Sequence, residues 1–416
     1  MAFDSPRKRS GARLLAMGVA PLLAIVACGS SGGSGSPAAS TQTIKVGIEY
    51  PLTGGFATNG INCKQGALLA IDYVNKTGIK SMGGAKLLPI VADTGTDPAT
   101  AASTARRLIA DDEVKFLMAA YLSSFTLTVA TEAERAKIPL VTQSFADGLV
   151  TRSYKYTFKT TPLGTAFGSN TMSYTHDVLL DANKTNIKKA IVVDGNDASA
   201  ITQAKGAVDD ATKYGFEISK NISYPNNLTD ATSIVSQIRD SGAQIIFIGG
   251  TLADVILILK GMRGIGINIP VVGLGGGGIL SADYPAALGA GADGTLSTAS
   301  WNYDISADAK KVAADYVKKY NAPFMPQEAG SAFMEVMIAA QAMEKAGSTD
   351  PLKLRAAMLS LDLKGSFPAT VYPGGHIAFD ETGIAKYPAT VFIEYQSGKP
   401  ATVWPKDIQQ AKPIFK

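Results

Sequence analysis

Ile44-Lys45-Val46-Gly47-Ile48-Glu49-Tyr50-Pro51-Leu52-Thr53-Gly54 is the stretch that decides the architecture. Its β-branched start, Ile44 to Ile48, reads as a strand buried on both faces, and Pro51, Gly54 and Gly55 read as the loop after it. Beyond it, Ala67, Leu68, Ile71 and Val74 recur at helical spacing and predict a helix over Lys64 to Asn75. Leu87 to Ala92 is a second strand. Asp97-Pro98 then opens a helix to Ala110, with Asp97 as its cap and Pro98 in the first helical position. Val114 to Met118 and Leu140 to Thr142 are strands around a helix from Ser124 to Lys137, and Tyr154 to Lys159 is an edge strand. This alternation predicts an α/β fold with a parallel sheet.

The pattern then restarts. A helix over Gly164 to Leu180 leads to strands at Lys189 to Val193, Ile218 to Tyr224, Ile245 to Ile248, Val271 to Leu274 and Thr295 to Ala299. Helices over Ala198 to Tyr214, Thr229 to Ser241 and Ala253 to Ile265 separate them. Three more helices come next, Ala307 to Tyr320, Ala329 to Ala346 and Pro351 to Leu361, before short antiparallel strands at Ile377 to Phe379, Thr390 to Tyr395 and Thr402 to Trp404. Two strand–helix series in one chain predict two doubly wound, Rossmann-like lobes with a cleft between them. In open α/β sheets ligands bind beyond the carboxyl ends of the strands, and interdomain clefts favour small molecules.

Composition narrows the function. The chain has 416 residues, 46% hydrophobic and 18% charged, as in a globular two-domain protein. Without residues 1–28 it carries 35 basic and 34 acidic residues, which leaves no basic footprint for nucleic acid. Its two cysteines, Cys28 and Cys63, and two histidines, His176 and His376, cannot build a zinc cage, and no EF-hand spacing is present. No nucleophile motif or phosphate loop occurs, so neither enzyme chemistry nor a cofactor is expected. Gly273-Leu274-Gly275-Gly276-Gly277-Gly278 fits G-x-G-x-x-G, but it comes late in its unit and Pro285 interrupts the next segment. A glycine-rich cleft loop is the better reading there.

The first residues read as an export signal. Arg7, Lys8, Arg9 and Arg13 precede a fourteen-residue apolar run, Leu14 to Ala27, too short to span a bilayer. It ends Ile25-Val26-Ala27-Cys28, similar to a bacterial lipobox, so Cys28 is the expected site of lipidation and membrane anchoring. Residues 29–43 read as a flexible Gly/Ser tether of roughly 20 Å root-mean-square length.

The opening stretch, together with Gly66 to Asp72, Val91 to Thr94 before Asp97-Pro98, Ala120-Tyr121-Leu122-Ser123-Ser124 and Ile138 to Thr142, resembles the type I periplasmic binding proteins of the branched-chain amino acid (leucine/isoleucine/valine-binding) family. The resemblance runs through most of 44–404. It implies lobes of 44–161 plus 300–364 and 162–299 plus 365–416, joined by a three-strand hinge that closes on the ligand. It further implies an extracytoplasmic small-molecule binder, for an amino acid or similar solute, that serves an ABC transporter permease. A sensor that reports to a receptor, and a binder of short amides or aromatic acids, are the alternatives.

Candidate ligand residues come from both readings. Ser123 and Ser124 open a helix after a strand, where N–H groups and the helix dipole suit a carboxylate; a plain helix cap uses the same geometry. The resemblance adds Tyr121 beside them and Gln143, Ser144 and Phe145 in the next strand-end loop, with Ala146 where the family has Thr. Phe56 is a candidate for the ligand's apolar end. In the second half, Asp197, Thr251 and Asp254 lie just past strand ends, and Asp254 matches a position where an acidic residue meets an ammonium. Ala198-Ser199 replaces the family's Tyr-Gly. Gly275 and Trp301 complete the expected cleft.

Overall fold

The computed structural model describes residues 42–275 and 278–414. The expected signal, Cys28, most of the tether, Gly276 and Gly277 therefore lie outside the described residues. Residues 41–416 form one compact unit.

Its first sheet holds β1 (Thr43–Tyr50), β2 (Lys86–Asp93), β3 (Leu117–Ala119), β4 (Leu140–Thr142) and β5 (Thr157–Lys159), all parallel, in the order β2-β1-β3-β4-β5. The second contains β6 (Lys189–Gly195), β7 (Glu217–Tyr224), β8 (Ile245–Gly249), β9 (Val271–Gly273) and β10 (Leu296–Ala299). A small pair, β11 (Asp362–Lys364) with β12 (His376–Ala378), stands apart, and β13 (Val391–Gln396) and β14 (Lys399–Trp404) join the second sheet antiparallel. Its order is β14-β13-β10-β9-β8-β6-β7, so the parallel part repeats the strand order of the first sheet.

Helices cover both faces of each sheet, which is why the strands are apolar runs rather than alternating ones. In chain order the helices are α1 (Ala57–Thr77), α2 (Pro98–Ala110), α3 (Ser123–Ala136), α4 (Gly164–Asp181), α5 (Ala198–Asp210), α6 (Thr232–Ser241), α7 (Leu252–Gly264), α8 (Asp283–Leu288), α9 (Ala307–Tyr320), α10 (Gln327–Ala346) and α11 (Pro351–Leu359). Val46, Ile48 and Tyr50 pack with Ala67, Phe333 and Met337 on one face of the first sheet; Leu117, Leu108 and Val129 fill the other. In the second, Ile246 and Ile248 meet α6 and α7, while Phe247 and Val192 meet α4 and α5.

Capping chemistry sets several helix starts. The Asp97 carboxylate accepts from the N–H groups of Ala99 and Thr100, with Pro98 in the first turn. α8 and β11 were not anticipated from the sequence, α6 starts at Thr232 rather than Thr229, and two further starts differ for clear reasons. α1 starts at Ala57 rather than Lys64, because Gly60 packs under Pro51; a Cβ at Gly60 would lie 1.7 Å from the Pro51 carbonyl oxygen. β1 starts at Thr43, inside the expected tether, paired with Lys86 of β2.

The chain passes from the first core to the second between Lys159 of β5 and Gly164 of α4. It returns beside Trp301, which packs with the first core. Ala369, Val371, Ile377, Phe379 and Ala385 pack there too, and the chain rejoins the second sheet at Val391.

Candidate functional site

In each sheet the strand order reverses at one place, between β1 and β3 in the first and between β6 and β8 in the second. Loops leaving neighbouring strands there run to opposite faces and leave a crevice. The two crevices face each other across a cavity of about 590 Å³. From the first half, Phe56 and Asn59 come from the loop and helix after β1, Tyr121 and Leu122 from the loop after β3, and Gln143 and Phe145 from the loop after β4. From the second come Asp197, Ser199, Ala200 and Gln203 after β6, Asn226 after β7, and Gly250 and Thr251 after β8.

Side chains of the two halves touch at the rim. Ser124 Oγ donates to Asp197 Oδ2 at 2.7 Å, and Thr58 Oγ1 donates to Asp283 Oδ2 at 3.1 Å. Asp197 also caps α5, its Oδ1 accepting from the Ser199 N–H at 2.8 Å. Thr251 caps α7 by accepting from the Asp254 N–H. The starts of α3, α5 and α7 all border one space, where the positive ends of their dipoles favour an anion. Asp197 is the one charged side chain on the wall among the described residues.

The walls divide by chemistry. Phe56 packs edge-on against Phe125 with ring centres 6.1 Å apart, and Phe145 against Phe167 at 4.7 Å. Both rings are fixed as apolar surfaces. Tyr121 holds a left-handed backbone, φ 72°, a conformation unfavourable for a bulky residue and typical of functional sites. Gly250, φ 148°, admits no other residue: a Cβ would sit 2.1 Å from the Tyr224 hydroxyl.

Behind the first-half wall lies a buried polar cluster. Asn59 Nδ2 donates to Glu328 Oε1 at 3.1 Å, and Gln143 Nε2 approaches Cys63 Sγ at 3.6 Å. The Tyr50 hydroxyl donates to Glu335. Burial without a cation pushes Glu328 up to about 7 and Glu335 up to about 8, so both hold protons well above the ordinary carboxylate range. Burial also lowers Lys159, whose ammonium lies 5.6 Å from the Phe145 ring centre, to about 7.

Of the residues anticipated from sequence, Phe56, Tyr121, Gln143, Phe145, Asp197 and Thr251 line the cavity. Ser123 is buried beside it, its Oγ accepting from the N–H groups of Phe145 and Ala146 and so tying two strand-end loops together. Ser144 sits in a hydroxyl cluster with Thr126 and Thr142. Both carboxylate oxygens of Asp254 are taken by backbone, the N–H groups of Asn227 and Leu228 at 3.0 and 2.7 Å. Asp254 thus holds the loop that carries Asn226. Gly275 lies against Phe167, and Trp301, 1% exposed, stacks over Gly330 and donates to the Val371 carbonyl.

Asn59, Gln203 and Asn226 are wall residues that sequence reasoning missed. Gln203 lies within a helix and Asn226 in Pro225-Asn226-Asn227, an ordinary turn signal. Only the folded structure, which brings the segments after β1, β6 and β7 to one cavity, distinguishes them. Among the described residues no cluster of His, Cys, Asp and Glu is suited to a metal, and no helix is long and apolar enough to cross a membrane.

A family described as periplasmic binding protein matches residues 43–393. The chain belongs to the periplasmic binding protein family. It is 26% identical over 392 residues to Leu/Ile/Val-binding protein homolog 8 of Brucella abortus, covering 91% of this chain and 94% of that one. A leucine-binding protein of Thermotoga maritima superimposes with a TM-score of 0.74 at 21% identity, over 86% of this chain and 97% of that one. A solute-binding protein of R. palustris in complex with 4-hydroxybenzoate gives 0.73 at 21% identity, over 86% and 95%. The fold is that of the type I periplasmic binding proteins of the branched-chain amino acid family. Such a protein binds a solute and is not an enzyme.

Proposed function

We propose that this chain is the extracytoplasmic binding component of an ABC importer, which captures an amino acid or related small carboxylate and delivers it to a permease. The observation that carries this reading is the cavity between the two switch points, with three helix starts and Asp197 converging on it. A carboxylate sits against the first-turn N–H groups of α3, an ammonium against Asp197, and the body of the solute between Phe56 and Phe145. Excluding water on closure strengthens each of these contacts.

The lobes are 44–161 plus 300–364 and 162–299 plus 365–416, with side chains of 369–385 packing against the first core. They part about the three crossings to admit the solute. Cys28 carries the lipid anchor, and the Gly/Ser tether holds the body near the membrane.

A thermal-shift screen of the protein, freed of bound solute by unfolding and refolding, tests this reading against amino acids, amides and benzoates. A true ligand at a hundred times its Kd adds about 2.7 kcal/mol of stability. If no member of the panel moves the melting temperature, the reading fails. Mass spectrometry of protein from a lipoprotein-competent host decides the anchor, by finding diacylglycerol on Cys28 or finding none.

A further inference from the structure

The cavity wall supplied by the second half carries two hydrogen-bonding atoms without partners among the described residues, Gln203 Nε2 and Asn226 Oδ1. Gln203 is 1% exposed, and the Asn226 oxygen is itself buried. Buried polar atoms in folded proteins almost always have a partner, and an orphan at a binding cavity marks where a ligand atom goes. One of the two is a donor and the other an acceptor.

Resting on the solute-binding reading above, we infer that Gln203 and Asn226 form a selectivity wall for a zwitterionic solute whose side chain ends in an uncharged donor–acceptor group, a carboxamide or a hydroxyl. Such a group gives an acceptor to Gln203 and a donor to Asn226. An aliphatic side chain of the same shape gives neither and leaves both atoms dry. A terminal carboxylate satisfies Gln203 but sets lone pairs against Asn226 Oδ1. A terminal ammonium satisfies Asn226 but faces the Gln203 donor.

The rest of the wall agrees. Among the described residues no Lys, Arg or His lines the cavity, so nothing there neutralises a second ligand carboxylate. Asp197 is its lone carboxylate and takes one ammonium. Asn226 is held in place because Asp254 accepts from the next two N–H groups along the chain, at Asn227 and Leu228. Its own N–H donates to Asn196 Oδ1 at 3.3 Å. The Asn226 backbone is therefore held in place in the cavity wall, with its Oδ1 beside Gly195.

The test compares near-isosteric pairs by titration calorimetry on refolded, ligand-free protein: asparagine against leucine, and threonine against valine, with benzoate as a separate arm. The polar member of at least one pair binds about 30-fold tighter than its apolar twin, the effect of leaving two buried groups unpaired. In Gln203→Leu the preference shrinks or reverses toward leucine and valine; a reversal cannot come from a misfolded protein. Asn226→Leu acts in the same direction, and circular dichroism checks that both variants are folded. Leucine and valine binding as tightly as asparagine and threonine to the unaltered protein overturns this inference and leaves the solute-binding reading standing. Binding of benzoate alone does the same. If no member of the panel binds, both fall.

Discussion

Ser124 Oγ reaches across the cleft to Asp197 Oδ2 at 2.7 Å, and so joins the first residues of α3 to the cap of α5. One carboxylate thus faces the cavity, caps a helix and latches the two halves. Replacing Ser124 with Ala removes the latch but not the cap, which uses Oδ1. Closure then loses on the order of 1 kcal/mol. Small-angle scattering of Ser124→Ala with a saturating solute should show a larger open fraction, and stopped-flow release a faster off-rate; unchanged release would mean the contact does not hold the closed form.

Asp197→Asn keeps the shape and the Ser199 contact but removes the charge. An amino acid should bind about 10- to 100-fold more weakly, as expected for a desolvated ion pair. A benzoate, which has no ammonium, should bind no worse. Calorimetry on both ligands separates the charge from the geometry, and equal losses would deny Asp197 its partner.

Asp254→Ala frees the N–H groups of Asn227 and Leu228. Two hydrogen bonds to a buried carboxylate account for about 3 kcal/mol. Hydrogen exchange at those two amides should accelerate, and affinity should fall although Asp254 is absent from the cavity wall. Unaltered exchange would show that the loop is held by something else.

Glu328 titrates near 7 when folded and in the ordinary carboxylate range when unfolded. Between those values the folded chain binds the extra proton, so stability falls as pH rises from about 4.5 to 7 and levels off above. Glu335, near 8, extends the decline. Lys159, near 7, works in the opposite sense: above pH 7 the unfolded lysine keeps a proton that the folded one gives up, so its contribution rises with pH there. Glu328→Gln keeps an acceptor for Asn59 and should flatten the denaturant midpoint between pH 5 and 7, by on the order of 3 kcal/mol at most. A slope as steep as that of the unaltered protein would place the proton elsewhere.

Gly66 of α1 lies so close to α10 that a Cβ would stand 2.0 Å from the Ala329 carbonyl oxygen. Backbone cannot yield as a side-chain tip does. Gly66→Ala should cost about 3 kcal/mol by overpacking, read as a lower midpoint in urea.

Much of the fold was legible because its signals are local. Ile44 to Ile48 and Ile245 to Ile248 are rich in β-branched residues, and Asp97-Pro98 announces a helix start. The early start of α1 was hidden because Ala57 to Cys63 lacks an apolar period and is fixed by contact with Pro51. At the site, Asp197 was found because it comes just after a strand end and caps a helix. Asp254 has the same local signature, yet backbone amides from a loop distant in sequence claim it. Gln203 escaped notice for the converse reason: nothing around it in the sequence tells a helical glutamine in water from one facing a cavity.

The repeated strand order has a further consequence. Each half offers the solute the same kind of approach, loops that leave adjacent strands in opposite directions, but the side chains differ: the aromatic rings come from one side and the acid, Asp197, from the other, with carboxamides on both. Exchanging the turns after β6 and β7 for those of a relative should retune which solute is bound, and leave the wall of the other half untouched.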